Sequence, residues 1–174
     1  MTSLQPIREK LTRAQSVFFR AADTIPSEKW ANCPGLNEWS AAQLVAHLVV
    51  VERGVVTRVD QLTQQSPIPI PFRRRMHLPL WLVEARVIRR KSPVPLDESL
   101  LGEKEVMLAG LRAARERTLA FITETERRDL SDYCWRHPFL GMLNVYEWME
   151  MIAAHQLRHT KQVREIEAKL SRKL

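Results

Sequence analysis

Cysteine is nearly absent from this chain. Cys33 and Cys134 are the only two in 174 residues, far apart and in no CxxC pair, which excludes a disulfide framework and predicts free thiols in a reducing compartment. A long apolar run is missing as well. The longest uncharged apolar stretch, Ala41 to Val51, contains Gln43 and His47 and is too short to span a bilayer. The first residues, Met1 to Arg8, show no apolar leader core or cleavage pattern. No helix-turn-helix signature or aromatic stacking platform occurs, and no segment of useful length alternates with a strand period. The expectation is a soluble, cytoplasmic protein with neither a membrane nor nucleic acid as its partner.

What is present is ordinary for a globular protein, with 45% hydrophobic and 27% charged residues, and a length that fits one domain over 1–174. Lys and Arg number 27 against 20 Asp and Glu, a net charge of +7. That favours anionic partners in general but is too diffuse to specify one.

Helical periodicity dominates. Leu4, Ile7, Leu11, Ala14, Phe18 and Ala21 advance by threes and fours, predicting a first helix with Ser3 as its N-cap and Ile25-Pro26 as its end. Ser40-Ala41-Ala42-Gln43 reads as a capping box, flanked by Trp39 and Leu44 as a hydrophobic staple. It opens a second helix with Leu44, Leu48, Val51, Val55 and Val59 inward. Asp97-Glu98-Ser99 predicts the start of a third, whose inner stripe is Leu100, Met107, Leu111, Ala114, Thr118 and Phe121, with Ile122 alongside. Residues 133–143 read as a loop. Asn144-Val145-Tyr146-Glu147 resembles another capping box and opens the last helix, which runs to about Ser171.

Between the second and third helices, residues 67–96 hold six of the ten prolines and Arg73-Arg74-Arg75. A continuous helix is excluded there, and a short one from Pro79 to about Arg90 is predicted. Arg73 to Arg75 with Arg86, Arg89, Arg90 and Lys91 form the one notable basic cluster, read as a solvated face or an anion-recognising rim. The fold class is therefore all-α, a four-helix bundle with a Pro/Arg-rich insertion.

The last helix carries the anomaly. Trp148, Ile152, Val163, Ile166 and Leu170 make its apolar stripe, and His155 and His159 continue that stripe where apolar residues belong. On the second helix His47 lies beside Leu44, Leu48 and Val51, a third histidine on an inner face. Three imidazoles that meet in a core either hydrogen-bond as structural groups or bind a cation. As a metal site, His47, His155 and His159 leave at least one open position, and nitrogen ligation suits zinc, nickel or ferrous iron. Gln156 stands where a zincin needs glutamate, which excludes the HExxH protease. No Glu-x-x-His pair supports a di-iron bundle. Glu52, Glu147 and Glu150 fall off the histidine face and read as surface or capping groups. Gln162, one turn beyond His159, is a candidate to hold a metal-bound water or substrate, or a plain buried amide. Arg158 is a candidate anion partner or a surface group, His137 a candidate further ligand, and His77 is expected to be exposed.

Trp39-Ser40-Ala41-Ala42-Gln43-Leu44-Val45-Ala46-His47, followed by Glu52, resembles the second-helix motif of the DinB-like (DinB/YfiT) superfamily. His137-Pro138-Phe139-Leu140-Gly141-Met142-Leu143, then Glu147-Trp148 and His155-Gln156-Leu157-Arg158-His159-Thr160-Lys161-Gln162, is similar to its last-helix motif. Order and spacing match over nearly the whole chain. The resemblance implies a four-helix bundle whose three histidines bind a divalent metal, carried onto His47, His155 and His159. Characterised members of that superfamily include transferases and isomerases that use low-molecular-weight thiols. The expected function is thus a metal-dependent transferase joining such a thiol to a small electrophilic substrate. A non-catalytic metal- or ligand-binding bundle acting as a stress-response accessory, or a metal-dependent hydrolase, stands as the alternative. Homodimerisation through helix faces is expected of such a bundle.

Overall fold

Two capping boxes start the two helices that supply the histidines. The computed structural model describes residues 4–67, 70, 77–85 and 95–172. Its α-helices are α1 (Gln5–Asp23), α2 (Ala41–Thr63), α3 (Trp81–Ala85), α4 (Lys104–Glu124) and α5 (Val145–Ser171), with a hairpin of β1 (Cys134–His137) and β2 (Gly141–Asn144) before the last. At α2, the Ser40 hydroxyl accepts from the Gln43 amide at 3.2 Å and the Gln43 side chain accepts from the Ser40 amide at 3.0 Å. At α5, Asn144 and Glu147 exchange the same pair of bonds at 2.9 and 2.8 Å. Each box satisfies two of the amides that a helix start leaves without intrahelical partners.

The first helix buries the predicted stripe of Ile7, Leu11, Ala14, Phe18 and Ala21. Its N-cap is Leu4, with no side-chain cap and a proline in the first turn; Ser3, the expected cap, lies outside the described residues. Lys104 donates to the Ile25 carbonyl at 2.8 Å and the Asp23 carbonyl at 3.3 Å, placing a cation at the negative end of α1.

Three expectations are corrected. The third long helix begins at Lys104, not at Asp97, because Asp97 caps a separate 3-10 turn over Glu98–Leu100 and Gly102 follows it. Leu100 nevertheless packs on the core, and the rest of the stripe, Met107 to Ile122, is buried in α4. The insertion helix begins at Trp81, because the Leu78 amide donates to the Leu140 carbonyl at 2.7 Å and holds the chain before it extended. Its predicted continuation to Arg90 and the basic cluster at 73–75 and 86–91 lie outside the described residues. Finally, 133–143 is not merely a loop. Trp135 pairs with Leu143 and His137 with Gly141, whose φ of 104° closes the hairpin in a conformation glycine adopts freely. The Trp135 ring stacks on Trp148 at 4.5 Å between centroids, so packing against α5 determines this short segment where its own pattern is weak.

The result is an all-α bundle with one small hairpin. α1 packs chiefly along α5 and α2 along α4, while α2 and α5 touch less extensively. Two apolar clusters fill the interior. One joins Phe18, Leu44, Leu111 and Val163; the other joins Leu11, Val55, Phe121 and Ile152. On each helix a short interval separates the two clusters, and the buried polar residues Glu52, Arg115, Thr118, Gln156 and His159 occupy it. No described helix is long and apolar enough to cross a membrane.

Candidate metal centre

His47 comes from α2, in the half of that helix that faces both α4 and α5. His155 and His159 come from successive turns of α5. His47 is 4% exposed and His159 7%, and His155 is half-buried. Their rings pack edge to face, 4.5 to 5.2 Å between centroids. The nitrogens point at one another. His155 Nε2 lies 3.3 Å from His47 Nε2 and 3.0 Å from His159 Nε2, and ligand atoms from all three lie within 4.8 Å of one another.

That arrangement is poorly served by hydrogen bonds alone. A ring nitrogen carries one proton or one lone pair, so His155 Nε2 cannot donate to one neighbour while accepting from the other. His159 Nδ1 faces Gln162 Oε1 at 3.1 Å. Since an amide oxygen only accepts, His159 donates to it from Nδ1, which in the neutral ring leaves the Nε2 lone pair facing the cluster. His47 Nδ1 is buried with no partner among the described residues. Burial lowers the His47 pKa to about 4. Burial, then the neighbouring His159, His47, Arg158 and His137, pushes His155 well below its usual value. His47 and His155 are therefore neutral, the state in which imidazole is a ligand. Ligand nitrogens held tetrahedrally at about 2.0–2.1 Å from zinc stand about 3.3 Å apart, close to the 3.0 and 3.3 Å separations at His155, and the three ligand atoms together lie within 4.8 Å. The donor set fits a cation.

A family profile described as the DinB superfamily matches residues 10–163. The chain belongs to the DinB superfamily. Its relatives include YuaE of Bacillus subtilis (strain 168), an uncharacterised protein, 26% identical over 151 residues that cover 85% of this chain and 89% of YuaE.

The other candidates are placed individually. Gln162 touches His159 and orients it. Arg158, half-buried, donates to the Val83 carbonyl at 3.2 Å and so ties α3 to α5 beside His155. His137 stays in the hairpin: its Nδ1 accepts from the Phe139 and Leu140 amides at 3.1 and 3.2 Å, and its ring lies against Trp148. It is outside the three-histidine cluster. His77 is not a free surface group. Its Nε2 meets Glu147 Oε1 at 2.9 Å and its Nδ1 faces the Leu78 carbonyl at 2.9 Å. Burial opposes its charge, but that carbonyl and the Glu147 carboxylate outweigh burial and raise its pKa.

Glu147 caps α5 and Glu150 pairs with Lys10 at the surface, as expected of them. Glu52 does not fit a surface reading. It is 3% exposed and accepts from Arg115 Nε at 2.6 Å, Arg115 Nη2 at 3.0 Å and the Thr118 hydroxyl at 2.7 Å. Five residues beyond His47 it does lie off the histidine face, by about 140° at 3.6 residues per turn. That direction points at α4 rather than at solvent, because a helix inside a bundle buries more than one stripe. Arg115 was not anticipated. The sequence signal was the run Leu111, Arg115, Thr118, Ile122, in which a charge holds a core position at spacings of four, three and four.

Proposed function

We propose that His47, His155 and His159 hold a divalent cation, zinc, nickel or iron, and that this centre activates a low-molecular-weight thiol for transfer to a small electrophile. The observation that carries the metal reading is the convergence of the three Nε2 atoms, with separations of 3.0 and 3.3 Å about His155. A divalent cation with an open position supplies Lewis acidity, lowering the pKa of a thiol or water that shares the site.

The chain's own groups favour the thiol over the water. Hydrolysis asks for a general base within hydrogen-bond reach, and Glu52, the buried carboxylate on the same helix as His47, is engaged by Arg115 and Thr118. A thiolate is itself the nucleophile and needs less acid–base help. Gln162 keeps the His159 proton on Nδ1, and Trp39, its ring 5.1 Å from that of His47, shields one side of the cluster. The absence of a free base among these neighbours also favours a second reading, a metal- or ligand-binding bundle without catalysis.

Elemental analysis of the purified protein tests the first step. A stoichiometric divalent metal that His155→Ala loses is the expected result, and metal-free wild type, even after incubation with zinc, nickel or ferrous iron, overturns the metal in both readings. Conjugation assays pairing low-molecular-weight thiols with generic electrophiles, with and without chelator, separate the two. Chelator-sensitive turnover is expected of the transferase; none across a broad panel leaves the binding protein.

A further inference from the structure

The histidine cluster bridges two helix pairs. α1 lies along α5 and α2 along α4. His47 belongs to one pair, while His155 and His159 belong to the other. Its geometry therefore depends on how the pairs sit against each other along the bundle axis. Apolar packing is weakly directional about such a slide, whereas a half-ångström error spoils a metal site.

The buried guanidinium of Arg115 spans the same junction. Within its own pair it holds Glu52 through Nε and Nη2, at 2.6 and 3.0 Å. Across the junction its Nη1 donates to the Leu11 carbonyl of α1 and its Nη2 to Gln156 Oε1 of α5, at 2.9 Å. Arg115 and Gln156 are each 1% exposed. Gln156 directly follows His155, and Glu52 lies on the same helix as His47. All four long helices thus meet at one planar fork of donors, whose directions are set by the guanidinium itself. Such a pair contributes little stability over an apolar replacement of equal volume, but it penalises every register that leaves a charge unpaired.

We propose that Glu52, Arg115 and Gln156 are positioning residues that set the register of the α2–α4 pair against the α1–α5 pair, and thereby the ligand spacing of the His47, His155 and His159 site. The inference rests on the metal reading for its consequence, but its geometrical half does not. A structural role alone would appear in thermal stability and leave affinity and register unchanged.

The test uses the full chain carrying Glu52→Leu, Arg115→Met and Gln156→Leu together, so that no buried charge or amide loses its partner. Zinc affinity is measured by competition with a chromogenic chelator. Separately, spin labels at exposed Arg53 and Arg164, in a background with Cys33→Ser and Cys134→Ser, report the distance between α2 and α5 in the metal-free protein. The expected result is a folded variant with a broadened or shifted distance distribution and zinc affinity about 10- to 100-fold weaker, the range seen when supporting groups around a metal site are lost. A folded variant with the wild-type distance distribution, or zinc affinity within about threefold of wild type, overturns the proposal. Should the triple variant fail to fold, Arg115→Lys takes the same two measurements, since lysine keeps the charge and loses the fork. If wild type binds no zinc, nickel or ferrous iron, the metal reading falls and the label distances alone decide the register claim.

Discussion

Two polar clusters lie side by side in the bundle interior, and they differ in how they are completed. The Glu52–Arg115–Thr118–Gln156 cluster brings its own opposite charges. Arg115 directs four of its five N–H donors to two carboxylate oxygens, a helix carbonyl and an amide oxygen. The His47–His155–His159 cluster has three imidazole rings, one nitrogen facing two others, and a His47 Nδ1 that has no partner among the described residues. In the first the protein pairs both charges and leaves only Gln156 Nε2 without a partner among the described residues; in the second the converging ring nitrogens face chiefly one another. Buried polar groups without internal partners mark where a fold has kept capacity for binding.

The comparison can be broken from either side. The largest effect is expected from Arg115→Ala, which strands the Glu52 carboxylate in the core. About 3–5 kcal/mol of unfolding free energy should be lost, read by denaturant titration, and metal-free and metal-loaded protein should both suffer. Metal removal should act on the histidine cluster only. At free metal about 100-fold above its dissociation constant, binding adds about 2.7 kcal/mol, so chelator should lower the melting temperature of wild type and leave that of His155→Ala unmoved. Gln162→Leu is smaller in scope. Freeing the His159 tautomer should weaken metal binding by about tenfold or more without changing the thermal stability of the metal-free protein.

The smallest effect is in pH. His47 titrates at about 4 in the folded protein, because burial disfavours its charge, against 6.5 when unfolded. The unfolded chain therefore binds the extra proton between those values, and stability is full above pH 6.5 and falls as the pH drops toward 4. From pH 7 to 5.5 the metal-free protein should lose about 1 kcal/mol from this group, and bound metal, which also keeps the folded ring unprotonated, should leave that loss undiminished. Unfolding curves at matched pH with and without metal check both statements.

The histidine cluster was far more legible than the charged one. His155 and His159 interrupt an apolar stripe at a spacing of four, and His47 interrupts another, so a period count alone exposes them. The capping boxes at Ser40 and Asn144 were legible for the same local reason: a cap is made by residues three apart. Glu52 and Arg115 were not, although both sit on seams. A lone charge on an inner face is indistinguishable in sequence from one at a stripe's edge until the partner helix is placed, and these two are 63 residues apart. The hairpin escaped for a related cause. Its four-residue strands carry little pattern of their own, and the stacking of Trp135 on Trp148 holds them.

By itself, then, the sequence determined the four long helices, the two capped starts and the three histidines on inner faces, all of which depend on neighbours within a turn or two. Only the tertiary structure decided that the histidine nitrogens converge within 4.8 Å, that Glu52 finds Arg115, and that the chain before α3 joins the hairpin. Those outcomes depend on the order and register in which separate helices pack. Burial and directional hydrogen bonds between distant residues select that register, and no local period records it.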